Sequence, residues 1–277
     1  MQFLTTLKMS SDEFKKNLEY INICVGSIHD FEVYQYGTGF FLKLSVNKEK
    51  TSLFFVTAKK NVYDFKQDLM FKKIILKLHT IDILNHSISE TPSEFEIDLS
   101  KQIIYFDDQI AVYDCTNYIN QINNQLYTNH KVLYFMAIDA LNLIVDPKQM
   151  PDFYETLDFQ LFSEVSTSGF LDIDNEYNSV DLAIKKGSIS SLIHKTVNNQ
   201  PIVLVDNNLV KLTYGSICFK LFDEDAPINL SVLGLLVGYQ SIDINIEDKV
   251  LSYPNGYAKI YKGYEIINFI FNKVLNN

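Results

Sequence analysis

Arginine is absent from the 277 residues: all 24 basic side chains are lysines, set against 34 acidic ones, and the net charge is −10. Without the planar guanidinium that suits phosphates and base edges, and with an acidic excess that repels a nucleic-acid backbone, the chain is ill-suited to nucleic acid or an anionic membrane. Cysteine is scarce. Cys24, Cys115 and Cys218 are odd in number, far apart and in no Cys-x-x-Cys pair. That pattern argues against a disulfide framework and a zinc site, and it predicts buried free thiols. No apolar run approaches bilayer length, the nearest being Leu230 to Tyr239, so no transmembrane helix is expected. The opening MQFLTTLKMSSDEFKK has no apolar segment behind a basic start, which favours a cytoplasmic location over secretion. The histidines His29, His79, His86, His130 and His194 are scattered, and no spacing suggests a metal or cofactor.

What is present is enough apolar material for a large core, 47% of the residues, arranged mostly with a period of two. Phe14, Leu18 and Ile21 predict a short amphipathic helix ending near Asn22, within an N-terminal segment 1–24. Strands are predicted at Phe31–Tyr36, Phe40–Val46, Leu53–Thr57, Lys72–Leu78, Phe95–Leu99, Ile103–Phe106 and Leu133–Ile138, with Gly37-Thr38-Gly39 punctuating the first two. A surface helix is expected over Asn117–Leu126. Proline and charge between Asp146-Pro147 and Pro151-Asp152 mark a connecting segment, 139–157, between units at 25–138 and 158–262. The second unit reads as strands at Asp158–Ser166, Ala183–Ser191, Ile202–Val205, Ser216–Leu221, Val232–Tyr239 and Tyr257–Ile260. An apolar stripe over Tyr264–Leu275 predicts a terminal helix, within 263–277, docked on a barrel. The expected fold is all-β with peripheral helices, built as two six-stranded antiparallel β-barrels.

Four stretches in order carry a resemblance. Gly37-Thr38-Gly39-Phe40-Phe41 precedes Val56-Thr57-Ala58; Gln109-Ile110-Ala111-Val112 follows; then come Ala183 to Ser191 and the pair Leu204-Val205-Asp206 with Tyr214-Gly215-Ser216-Ile217-Cys218-Phe219. Together with Leu233 to Tyr239, they resemble the trypsin-like (chymotrypsin-fold) serine peptidases, in particular the bacterial intracellular branch. The likeness runs from about residue 25 to the C-terminus.

Carried over by that resemblance, the catalytic positions hold the wrong chemistry. The histidine falls on Lys60, or on Asn61 with a one-residue offset; the aspartate falls on Gln109, beside Asp107 and Asp108; the serine falls on Tyr214. The glycine whose amide would face an oxyanion falls on Leu212. Acyl transfer by this mechanism needs a hydroxyl, an imidazole and a carboxylate in register, and lysine, glutamine and tyrosine do not supply them. Thr213, Ser216 and Cys218 are nearby nucleophile types, the last two in a strand expected to be buried. A salt bridge between Lys60 and Asp108 across the former cleft is the expected replacement.

The resemblance therefore implies a catalytically inactive homologue that binds another protein or an extended peptide. Gly238, Tyr239 and Gln240 are the expected strand edge, and phage defence is one bacterial setting for such a protein. Two rivals remain at this point: an active peptidase with displaced catalytic groups, and a structural subunit of an oligomer of unstated size. Whether Tyr214 plugs the cleft is open in the sequence.

Overall fold

The computed structural model describes residues 17–29, 32–45, 51–140, 161–171, 182–192, 196–206, 212–221, 230–246 and 249–275. The predicted start of the N-terminal helix, the turn at 47–50 and nearly all of the connecting segment 139–157 lie outside these residues. A four-residue helix, α1 (Leu18–Ile21), leads into the first sheet.

That sheet contains β1 (Ile23–His29), β2 (Glu32–Ser45), β3 (Thr51–Ala58), β6 (Lys73–Asp82), β7 (Ser93–Asp98), β8 (Ile104–Phe106), β9 (Ile110–Asp114), β10 (Lys131–Tyr134) and β11 (Ile138–Asp139). Its hydrogen-bonded path runs β10-β6-β1-β2-β3-β9-β8, with β7 on β6 and β11 on β2. A small hairpin, β4 (Tyr63–Asp64) with β5 (Leu69–Met70), stands apart. Helix α2 (Thr116–Tyr127) covers the sheet beside β10. The second unit is a closed barrel in the order β12 (Glu164–Phe170), β13 (Leu182–Ile189), β14 (Ile202–Asp206), β17 (Lys249–Lys262), β16 (Leu230–Ile246), β15 (Ile217–Leu221), and β15 returns to β12. A curled, mainly antiparallel sheet beside a closed six-stranded barrel is the two-barrel layout that the sequence implied.

Several strands differ from their predicted bounds. Gly37-Thr38-Gly39 does not divide two strands; β2 runs straight through it, pairing with β1 at Val25↔Gly37 and with β3 at Gly39↔Thr57. Leu133–Ile138 is two short strands, the second parallel to β2. Strands β16 and β17 extend well past Tyr239 and start well before Tyr257, because Asn255-Gly256-Tyr257 bulges out opposite Gln240 and pairing resumes at Ser241↔Pro254. The terminal helix is α3 (Gly263–Phe269), continued from Ile270 to Leu275 as a wider π-helical turn.

Alternation sorts the side chains into three layers. Along β3, Leu53 and Phe55 enter the interior of the first unit, whereas Phe54, Val56 and Ala58 face the second unit. Along β15, Cys218 enters the barrel and Ile217 and Phe219 face the first unit. The middle layer also takes Phe40 and Leu42 from β2, Leu235 and Val237 from β16, and Ile266 and Ile270 from the terminal helix. Strands lying between a unit's interior and this shared layer are buried on both faces. That explains why Leu53-Phe54-Phe55-Val56 reads as a continuous apolar run. The terminal helix accordingly seals the joint between the units.

Candidate functional site

The turn Leu212–Ser216 enters β15 at the joint, and Thr38 in the middle of β2 holds it there. The Thr38 amide donates to the Tyr214 carbonyl at 2.8 Å. Its hydroxyl shares a 2.6 Å hydrogen bond with that of Thr213 and accepts from the Phe170 amide. The Thr38 carbonyl accepts from Thr57 Oγ1 at 2.7 Å and from Asn61 Nδ2 at 3.1 Å. Gly215 has φ +93°, and a Cβ there would stand 1.7 Å from that carbonyl, so the turn requires glycine for both its twist and its closeness to Thr38. Gly-Thr-Gly in β2 is thus a clamp: Gly37 also leaves room for the Asn61 side chain.

A single 3-10 turn, Lys59–Asn61, sends Lys60 and Asn61 in different directions. Asn61 turns inward and is 1% exposed; its Nδ2 also donates to Thr57 Oγ1 and to the Tyr214 carbonyl, each at 2.8 Å. Lys60 turns outward, with its carbonyl held by the Gln35 side-chain amide. The Lys60 ammonium lies 4.2 Å from the centroid of the Tyr214 ring, a cation–π contact. The expected Lys60–Asp108 salt bridge is not formed; a ring face, which sheds less of the ammonium's water than a carboxylate pair demands, takes the cation instead.

Gln109 immediately precedes β9, and its carbonyl accepts from the Lys59 amide at 2.8 Å. Asp107 is not a solvated turn residue. One carboxylate oxygen accepts from the amides of Gln109 and Ile110, and the other accepts from the Tyr261 hydroxyl at 2.7 Å, joining the two units. Burial, reinforced by the Asp107 carboxylate, pushes the Tyr261 phenol above its ordinary pKa.

The hydroxyls nearest the turn are consumed. Ser216 is fully buried and donates to the Thr213 carbonyl at 2.6 Å; Thr213 is tied to Thr38. Desolvation pushes the buried Cys218 thiol up to about 12, far from thiolate chemistry at neutral pH. The Leu212 amide, which the resemblance aims at an oxyanion, donates instead to the Tyr239 hydroxyl at 2.7 Å, and that hydroxyl donates back to the Leu212 carbonyl at 3.0 Å. The Leu212 side chain is buried in the barrel. Nothing in the sequence signalled the part played by Tyr239, 27 residues further on.

Lys60, Asp108, Gln109 and Tyr214 come together with Gly238 and Tyr239 as walls of one cleft of about 420 Å³, completed by Phe65, Gln200, Val237, Ser241 and Lys259. Gln240, half-buried between Tyr239 and Ser241, is not part of the lining. Tyr214, its ring 6.4 Å from that of Tyr239, is a wall of the cleft and does not plug it. Among the described residues no group of three metal-ligating side chains converges, and no helix is long and apolar enough to cross a membrane.

No family model and no curated protein matches the chain. Among solved structures, the scabies mite inactivated protease paralogue S-I1 is similar, with 11% identity, a TM-score of 0.49, and coverage of 94% of this chain and 97% of that one.

Proposed function

We propose that the protein is a catalytically inactive trypsin-like peptidase homologue whose cleft binds an extended polypeptide. The observation that supports this best is the edge of β16. Strand β15 partners it only as far as Leu235, whereas β16 continues to Ile246 and its residues Val237 to Tyr239 form a wall of the open cleft. An incoming extended chain can add there by backbone pairing, which needs none of the three replaced catalytic groups.

Displaced catalysis is disfavoured by the same geometry. The hydroxyls of Thr213 and Ser216 are buried in structural hydrogen bonds, and among the described residues the cleft lining contains no imidazole. Hydrogen exchange in the presence of a reduced, carboxymethylated unfolded protein tests the proposal: amides within residues 237–241 should slow, since Leu236 is already bonded to the turn at Gly215 and Ser216, and the added protein should stay intact. Unchanged exchange there, or cleavage that disappears in Ser216→Ala, would overturn it.

We extend the proposal to a cytoplasmic protein of a multicomponent bacterial system such as phage defence, on the sequence resemblance alone. Survival of phage-challenged cells with and without the gene tests that extension separately.

A further inference from the structure

We infer that the occupant of the cleft is an acidic segment, an extended peptide that places an internal Asp or Glu side chain against Lys60 and Lys259. This rests on the cleft binding an extended chain as proposed above. The chain carries 34 acidic groups and only 24 lysines, so a surface picked at random would be negative. The cleft is the reverse: among the described residues it holds Lys60 and Lys259 against one carboxylate, the exposed Asp108. Ion pairs at Lys73–Glu96, Lys77–Glu94, Lys101–Asp98 and Lys186–Glu164 lie elsewhere on the molecule.

Lys59 shows how this protein retires a cation it does not use. Its ammonium sits among three rings, 5.0 Å from Tyr63, 5.5 Å from Phe65 and 5.0 Å from Phe106. Lys60, the next residue, covers one face of one ring. An ammonium has three N–H donors and a ring face satisfies at most one direction, so Lys60 keeps donors pointed at the cleft. Lys259 lies directly across β16, paired in register with Gly238, and its stem passes 3.7 Å from where a Cβ on Gly238 would be. A peptide added beside β16 directs alternate side chains to opposite faces. A carboxylate on an inward-facing residue therefore meets Lys60 and Lys259 together, with the Tyr214 ring beside its stem.

The test uses fluorescence anisotropy with the full chain and short extended peptides, acetylated and amidated at their ends, that differ only in a central Glu, Gln or Lys. The expected result is about tenfold tighter binding of the Glu peptide than of its Gln isostere at low salt, the worth of one charge-assisted contact. That preference should shrink at high salt and vanish in Lys60→Gln/Lys259→Gln, with circular-dichroism melting verifying that the variant is folded. Equal binding of Glu and Gln, or preference for Lys, overturns the acidic occupant and leaves the peptide cleft standing. In a companion set with unblocked C-termini, binding that appears only with the free terminus also overturns it, since the carboxylate would then come from a chain end. Failure of every peptide to bind, with hydrogen exchange of 237–241 unchanged by an unfolded protein, removes the proposed function itself.

Discussion

The Lys60 ammonium and the Tyr214 ring, 4.2 Å apart, join two positions that the sequence resemblance assigns to a catalytic base and its nucleophile. They interact as cation and quadrupole, an arrangement that moves no proton. Replacing Tyr214 by serine alone should therefore create no nucleophile, because no imidazole lines the cleft among the described residues and the Leu212 amide is already bonded to Tyr239. A fluorophosphonate probe should leave Tyr214→Ser unlabelled. Covalent labelling of that variant, seen by intact mass, would refute this account of the site.

Gly215→Ala tests the clamp. The φ of +93° and a Cβ 1.7 Å from the Thr38 carbonyl combine backbone strain with a backbone collision that no rotamer relieves. The expected cost is about 3 kcal/mol or more, read as a lowered urea midpoint with a similar slope. Gly256→Ala is the control: it shares the positive φ of +91° but meets nothing within 4 Å, so it should cost only about 1 kcal/mol.

Most strands were legible because alternation along β6 and the doubly buried runs of β3 and β9 are local signals. The length of β16 and β17 was not, since Pro254 and Gly256 mimic a chain break and the register is restored only by bulges across the pair. The same divide holds in the site. That Lys60, Gln109 and Tyr214 meet at one cleft could be expected from motif order, but Lys60 choosing the Tyr214 ring over Asp108 depends on residues more than 150 apart in sequence. Asp107 looked like turn punctuation for the same reason, its partner Tyr261 being supplied by the other unit.

The three cysteines should be silent in the native protein. Desolvation pushes Cys24 and Cys218 up to about 12 and holds Cys115 well above its ordinary value. Thiolate is the reactive form, so Ellman's reagent at pH 8 should titrate none of them before unfolding and all three in guanidinium. Rapid reaction of one thiol in buffer would show that the barrel around β15, or the first sheet around β1 and β9, opens more readily than its burial indicates.

Tyr261 and Asp107 give the joint between the units a pH dependence of definite sign. The folded state holds the Tyr261 phenol protonated to higher pH than an unfolded chain, by burial first and by the bond to Asp107 second. Below about pH 10, the usual tyrosine value, both states keep the proton and the contribution to stability is complete. Above it the unfolded chain binds fewer protons than the folded one, so stability falls as pH rises toward the elevated folded value. Tyr261→Phe should cost about 1–2 kcal/mol at neutral pH, the worth of a hydrogen bond to a carboxylate, while making the decline between pH 10 and 11 shallower. Urea melts of both proteins at pH 7 and at pH 10.5 measure this. If the variant lost as much stability as the wild type on going to pH 10.5, Tyr261 would not be the titrating group and the alkaline weakness would have to come from another buried phenol such as Tyr113, whose pKa burial also raises.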